Sequence, residues 1–173
     1  MELHGLDTEA EVFFYEQDFY VLSNFSAFAI KWQGRRFPTS EHAYHWEKFS
    51  PGQTAGKVYC RDAILNASSA HDAFKLAEQW RLLRRRDWDD VKVPTMRAIL
   101  CAKADQHEYV RRKLLDTGDR TLIENSWRDS FWGWGTDKDG QNVLGRLWME
   151  VRAELRQADD ADARNEQGAA QHA

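Results

Sequence analysis

Cysteine is scarce in this sequence: 173 residues carry two, Cys60 and Cys101. They have neither C-x-x-C spacing nor the partners of a disulfide framework, which points to a reducing compartment. Long apolar runs are missing too, so no segment reaches the length of a membrane span. The amino terminus lacks the basic-then-apolar pattern of a signal peptide. A soluble, cytoplasmic protein with no membrane partner is the expectation. Charge of one sign is not in excess either. With a formal net charge of −4, nothing global draws the chain to nucleic acid or anionic lipid. The run Arg81-Leu82-Leu83-Arg84-Arg85-Arg86 is the best candidate for a local basic patch, and its plainer reading is a solvated helix end.

Several catalytic signatures are absent. There is no G-x-S-x-G, and neither cysteine sits in a Gly-rich elbow, which argues against acyl transfer. Gly133-x-Gly135 and Gly140-x4-Gly145 lack both the Lys-Ser/Thr ending of a P-loop and the dinucleotide fingerprint after a strand. Glu41, His42 and His45 read E-H-x-x-H rather than H-E-x-x-H. Two histidines at i, i+3 with no clear third ligand are a weak metal signal. Neither a metal nor a cofactor is expected.

What is present is aromatic. Eight tryptophans and an aromatic share of 13% support a folded chain although 30% of residues are charged. The length suits one compact domain, and no internal repeat is visible. Val12 to Tyr15 and Phe19 to Leu22 read as strands or extended segments. Ala27 to Trp32, Gln33-Gly34 and Arg35 to Phe37 read as a hairpin ended by Pro38. Thr39 or Ser40 caps a helix through Phe49 that places Glu41, His45 and Lys48 on one face. Ser69 followed by Asp72 starts a helix whose stripe of Ala73, Phe74, Ala77 and Trp80 is expected in the core. Residues 86–90 read as a turn, followed by a helix from Val93 to about Asp105 with Pro94 in its first turn. Tyr109 to Thr117 is helical up to Gly118. Leu122-Ile123-Glu124 reads as a short strand, and Val143 to Gln157 as a final amphipathic helix. From Ala158 the chain is acidic, Ala-rich and expected to fray.

Between Asp129 and Gly145, two tryptophans and four glycines fall within seventeen positions and fit no regular period. Glycine lets backbone approach a ligand, and Trp offers a flat face at low entropic cost. Glu41 at a helix start, Asp129 in this loop, and Trp88, Trp132 and Trp134 are the parts a glycosidic hydrolysis needs: carboxylates for an oxocarbenium-like transition state and a surface for the leaving base. Each also has a structural reading. Glu41 suits the first turn of a helix, Asp129 suits a turn, and a single Trp is commonly core.

Taken in order, Ser23-Asn24-Phe25, Pro38-Thr39-Ser40-Glu41-His42 with Lys48-Phe49, Trp88 with Val91-Lys92 and Met96, Ala102-Lys103 with Gln106-His107, Leu114-Leu115-x-Thr117-Gly118, Leu122-Ile123-Glu124, Asp129-x-x-Trp132-Gly133-x-Gly135, and Gly140-x-Asn142-x-Leu144-Gly145 with Met149-Glu150-x-Arg152 resemble the YbiA-like, or NADAR, family over residues 12 to 156. The resemblance implies an α+β, mainly helical single domain with a few short N-terminal strands over residues 1–157, with a polar, disordered tail over 158–173. It implies an N-glycosidase acting on the C1′–N bond of ribosides. The substrate is then a phosphoribosylated pyrimidine intermediate of riboflavin biosynthesis or, alternatively, ADP-ribose on guanine in nucleic acid. It places the essential acid at Glu41, a functional tryptophan at Trp88 and an acid-and-Trp pair at Asp129 and Trp132.

On that footing Asp129 orients the ribose hydroxyls or shares the acid/base work, Trp88 and Trp132 wall the base, Lys48 receives a phosphate, and Asn142, Asn24 or loop N–H groups bind ribose or phosphate oxygens. The chain departs from many relatives in having Ala104 after the Ala-Lys pair and Trp134 between the loop glycines, where it bears on which base fits. A non-catalytic module binding ADP-ribose or a nucleotide is the competing class, disfavoured by the retention of two acids. Oligomeric state is not legible.

Overall fold

The computed structural model describes residues 5–15, 17–50 and 54–170. Two tiny sheets and six α-helices share one hydrophobic core. Strand β1 (Glu11–Phe13) pairs in parallel with β4 (Thr121–Ile123), Val12 opposite Leu122. Strands β2 (Ile30–Trp32) and β3 (Arg35–Phe37) form the expected antiparallel hairpin. Its turn residues Gln33 and Gly34 have φ of 47° and 72°, the I′ geometry that matches strand twist. Phe19 to Leu22, expected to be extended, instead lies in a 3-10 helix spanning Gln17–Leu22.

Helix α1 (Ser40–Glu47) is buried on every side, the position of a central helix rather than an amphipathic surface one. Thr39 caps it, accepting a hydrogen bond from His42 N–H at 3.3 Å. Around α1 pack α2 (Ala55–Leu65), α3 (Ala70–Gln79) and α4 (Trp88–Gln106). The sequence pattern gave no sign of α2, because it buries only Cys60 and Ile64 and so shows no apolar stripe. The Ser69 cap of α3 is in place, accepting from Asp72 N–H at 3.1 Å. Ala73 and Ala77 are core as expected, but Phe74 is 41% exposed and Trp80 is only partly buried.

Helix α4 begins five positions before Val93, at Trp88. Asp89 and Asp90 in its first turn complement the helix dipole, and Pro94 therefore sits past the first turn, where it removes one backbone bond. Helix α5 (Glu108–Asp116) stops before Gly118, whose φ is 59°.

The last helix, α6 (Val143–Ala170), runs well beyond Gln157. Ala, Glu, Gln and Arg are strong helix formers, and ion pairs from Arg156 to Asp119 and from Arg111 to Asp159 tie this extension to the body. The end of the expected tail, 171–173, lies outside the described residues. Trp148, fully buried, donates its indole N–H to Leu22 O at 2.8 Å and so joins α6 to the first 3-10 helix. At the start of α6 a Cβ on Gly145 would lie 2.1 Å from Leu122 O; only glycine lets α6 approach β4 this closely. Among the described residues, no helix is long and apolar enough to cross a membrane.

Candidate active site

The chemistry-bearing residues collect where α1 meets α4 and the segment following β4. Glu41 lies in the first turn of α1, and its otherwise free N–H donates to Asn24 O at 3.1 Å. One turn on, His45 Nε2 donates to Glu41 Oε1 at 2.7 Å. Burial lowers the pKa of His45 against the opposing pull of Glu41, so the ring serves as a neutral donor. A neutral histidine orients the carboxyl group without cancelling its charge. His45 Nδ1 is buried with no partner, and the exposed Phe74 covers the ring edge-on at 5.7 Å.

Tyr44, between these two on the same helix, is the centre of an aromatic cluster. Its ring centroid is 5.0 Å from Trp88 and 5.5 Å from Trp132, the latter edge-to-face, geometries worth about 0.5–1.5 kcal/mol each beyond burial. Lys48 Nζ lies 5.6 Å over the same ring and donates to Glu78 at 3.2 Å. Burial lowers the pKa of this ammonium, with Glu78 and then Glu41 acting in the opposite direction. Burial, then the charges of Glu41 and Asp129, push the Tyr44 phenol far up. Asp129 is tied to α1 through Trp132, whose N–H it holds and whose ring packs on Tyr44.

Asp129 Oδ1 accepts from the backbone N–H of Phe131 at 2.9 Å and of Trp132 at 2.8 Å. This is an Asx-type turn, and it aims Trp132 at Tyr44. Glu124, immediately after β4, completes the group. It is 7% exposed, its Oε2 has no partner, and burial, then the charges of Glu41 and Asp129, raise its pKa well above the usual carboxylate range, opposed by Lys103. Lys103 is itself fully buried, donating to Ser23 O at 2.9 Å and Ser26 Oγ at 2.7 Å, its pKa lowered by burial to about 7.

The residues expected from sequence thus divide. Glu41, Lys48, Trp88, Trp132, Asp129 and Asn24 come together, Asn24 through its backbone contact to Glu41 and with its own Oδ1 buried and unpartnered. Trp88 is only 2% exposed, so it supports the cluster from behind instead of offering an open face. Trp134 points elsewhere, donating to Asn125 at 3.0 Å and packing on Phe13 and under Lys138. Asn142 is also occupied: its side chain accepts from Glu124 N–H at 3.0 Å and donates to Leu122 O at 2.8 Å, acting as a strand partner for backbone that has none.

Many of the loop N–H groups are likewise taken. Those of Gly140, Gln141 and Asn142 bond to loop carbonyls, and those of Val143 and Leu144 to Phe131 O and Trp132 O. A Cβ on Gly140 would meet Gly133 O at 2.7 Å, which is how tightly this segment folds on itself. It caps α6 rather than presenting an anion-binding nest.

The E-H-x-x-H stretch is similarly accounted for, since His42 contacts Thr39 Oγ1 at 2.8 Å and Ala67 O at 3.2 Å. Among the described residues, no three metal-ligating side chains form a group suited to an ion. Two members of the cluster carried no site role from sequence. Tyr44 is flagged only by lying one turn from both Glu41 and Lys48, and Glu124 only as an acid ending an apolar strand.

Comparison with known proteins identifies a family. A NADAR domain family model matches residues 13–156. An N-glycosidase from Nostoc punctiforme is 39% identical over 147 residues, covering 84% of this chain and 92% of that protein. A riboflavin biosynthesis protein from Vibrio vulnificus is 38% identical over 151 residues, 86% of this chain; the chain spans only 40% of that relative's length. The NMR structure of Escherichia coli YbiA superposes with a TM-score of 0.77 at 34% identity, covering 89% of each chain.

Proposed function

The chain belongs to the NADAR domain family, and from this premise we propose that it is an N-glycosidase that hydrolyses the C1′–N bond of a riboside, a phosphoribosylaminopyrimidine of riboflavin biosynthesis foremost. The names of its relatives, an N-glycosidase and a riboflavin biosynthesis protein, support the reaction class and the substrate. The observation that carries the reading is Glu41, fixed through one oxygen by a neutral His45 at 2.7 Å beside the Tyr44 and Trp132 rings.

Cleaving C1′–N builds positive charge on C1′ and the ring oxygen. Glu41 stabilises that charge and aligns the attacking water with the oxygen His45 leaves free. Trp132 flanks the base, with Trp88 and Tyr44 setting its position. Asn24 Oδ1, buried without a protein donor, accepts from a ribose hydroxyl, and burial without a partner costs about 1–3 kcal/mol until such a donor arrives. Lys48 exchanges the half-exposed Glu78 for the 5′-phosphate.

The test is free base released over time, followed by liquid chromatography, from a phosphoribosylaminopyrimidine and separately from DNA bearing ADP-ribosylated guanosine. Steady release from the first is the expected result. Release from the second alone would move the substrate to nucleic acid, and release from neither would overturn the reading.

A further inference from the structure

Departure of a ribosyl-bound amine requires a proton on the leaving nitrogen, and the cluster holds several titratable groups. Asp129 is tied to its turn, with one oxygen already accepting two backbone N–H groups. Tyr44 holds its proton too tightly, pushed far up by burial and by the charges of Glu41 and Asp129. His45 donates its N–H to Glu41. Glu124 is differently placed. Its backbone is clamped at both ends, N–H to Asn142 Oδ1 at 3.0 Å and C=O to Trp134 N–H at 3.3 Å, while its buried Oε2 has no hydrogen-bond partner.

We infer that Glu124 is the general acid of the site, delivering the proton on its unpartnered carboxyl oxygen to the departing base nitrogen. This rests on the N-glycosidase reading and adds a residue to it. Beyond Asp129 and Trp132, the Gly/Trp loop then acquires a purpose, since it is the clamp that fixes Glu124.

The surroundings of Glu124 favour the protonated form of its carboxyl group. Apolar burial is the main cause, Glu41 from α1 and Asp129 from the loop add like charge, and Lys103 from α4 opposes them. Lys103 is a weak counter-ion, because burial brings its own pKa to about 7 and its donors go to Ser23 and Ser26. Carboxyl groups whose surroundings differ this much divide naturally into acid and base.

The step balances. As C1′–N breaks, its electron pair passes to nitrogen, which takes the Glu124 proton. Water adds to C1′ and gives a proton to Glu41, and transfer of that proton through solvent to Glu124 restores both groups. The sum is riboside plus water giving free ribosyl phosphate and base.

The test is Glu124→Gln, which keeps shape and neutrality but cannot supply the proton, assayed on two substrates. On a phosphoribosylaminopyrimidine, kcat falls by about 10²–10⁴-fold, the range general acid catalysis supplies. On 4-nitrophenyl ribofuranoside 5-phosphate, whose phenolate leaves unprotonated, the rate stays near that of the wild type. An equal loss on both substrates, or no loss on the amine, would overturn the assignment.

A second readout needs no turnover, so it separates failure of this inference from failure of the N-glycosidase reading. A carboxyl with a raised pKa in the fold contributes stability below its unfolded value that is lost as pH rises. The urea midpoint of Glu124→Gln therefore gains on that of the wild type between pH 5 and 8, whereas parallel pH curves would contradict a protonated Glu124.

Discussion

Helix α1 and the loop from Asp129 to Gly145 are the two chemically richest stretches of this chain, and they contribute in opposite ways. Helix α1 is regular, buried on every side, and offers its side chains directly: Glu41, Tyr44 and His45 form the centre of the cluster, with Lys48 just beyond its last turn. The loop is irregular and glycine-rich, yet most of its polar groups are satisfied internally. Only Asp129 and Trp132 reach the site, and the rest holds Glu124 and caps α6. Glycine and tryptophan in abundance therefore marked a tightly folded brace, while the proposed catalytic residues lie in a helix with an ordinary cap.

That contrast can be tested by disturbing each side. The largest effect, short of replacing Glu41 or Glu124 itself, is expected from His45→Ala. Releasing the 2.7 Å bond lets the Glu41 carboxyl rotate, and a misplacement near 1 Å costs on the order of 10²-fold in kcat. His45→Gln, which restores an N–H donor, recovers part of it. Steady-state kinetics on both variants decide the point, and an unchanged kcat in His45→Ala would remove the orienting role.

On the loop side, Asn142→Ala deletes two backbone braces and leaves buried groups unpaired, a loss of about 1–3 kcal/mol read by urea unfolding. Substrate KM changes little, because Asn142 touches backbone rather than ligand. A large KM increase without loss of stability would return Asn142 to the binding surface.

Acid exposes the other side of α1. Burial lowers the pKa of both His42 and His45, so their contribution to stability is complete above the unfolded value near 6.5 and is lost as pH falls through the lower folded values. Each histidine that gains its proton only on unfolding contributes a slope of about 1.4 kcal/mol per pH unit. Urea midpoints measured from pH 7.5 down to 5 should fall, and His42→Asn should flatten part of the slope.

The smallest effect belongs to Trp134→Phe. It removes one hydrogen bond to Asn125, about 0.5–1.5 kcal/mol, and leaves base preference unchanged. A switch in preferred base would restore Trp134 as a specificity residue.

Local signals in the sequence carried much of the fold. The Thr39 and Ser69 caps, the Gln33-Gly34 turn and the stop at Gly118 are each written in one or two residues, and each is present. What escaped depended on packing across the chain. Phe19 to Leu22 is aromatic and β-branched yet coils, with Leu22 O receiving the Trp148 indole N–H from α6. The charged stretch before Val93 looked like a turn, although Trp88 is drawn into the core against Tyr44 and starts α4 there. For the site, Glu41 was legible from its place in a capped first turn and from the family pattern. Tyr44 and Glu124 were not, because only the fold brings α1 and the end of β4 together, and no spacing rule spans that distance.

The most direct test of the account is the turnover of Glu41→Gln on a phosphoribosylaminopyrimidine, measured as free base released by protein whose melting temperature matches that of the wild type. The account predicts a fall of at least about 10²-fold, the lower end of what an acid–base group contributes. Release within about tenfold of the wild type would place the chemistry away from α1 and contradict it.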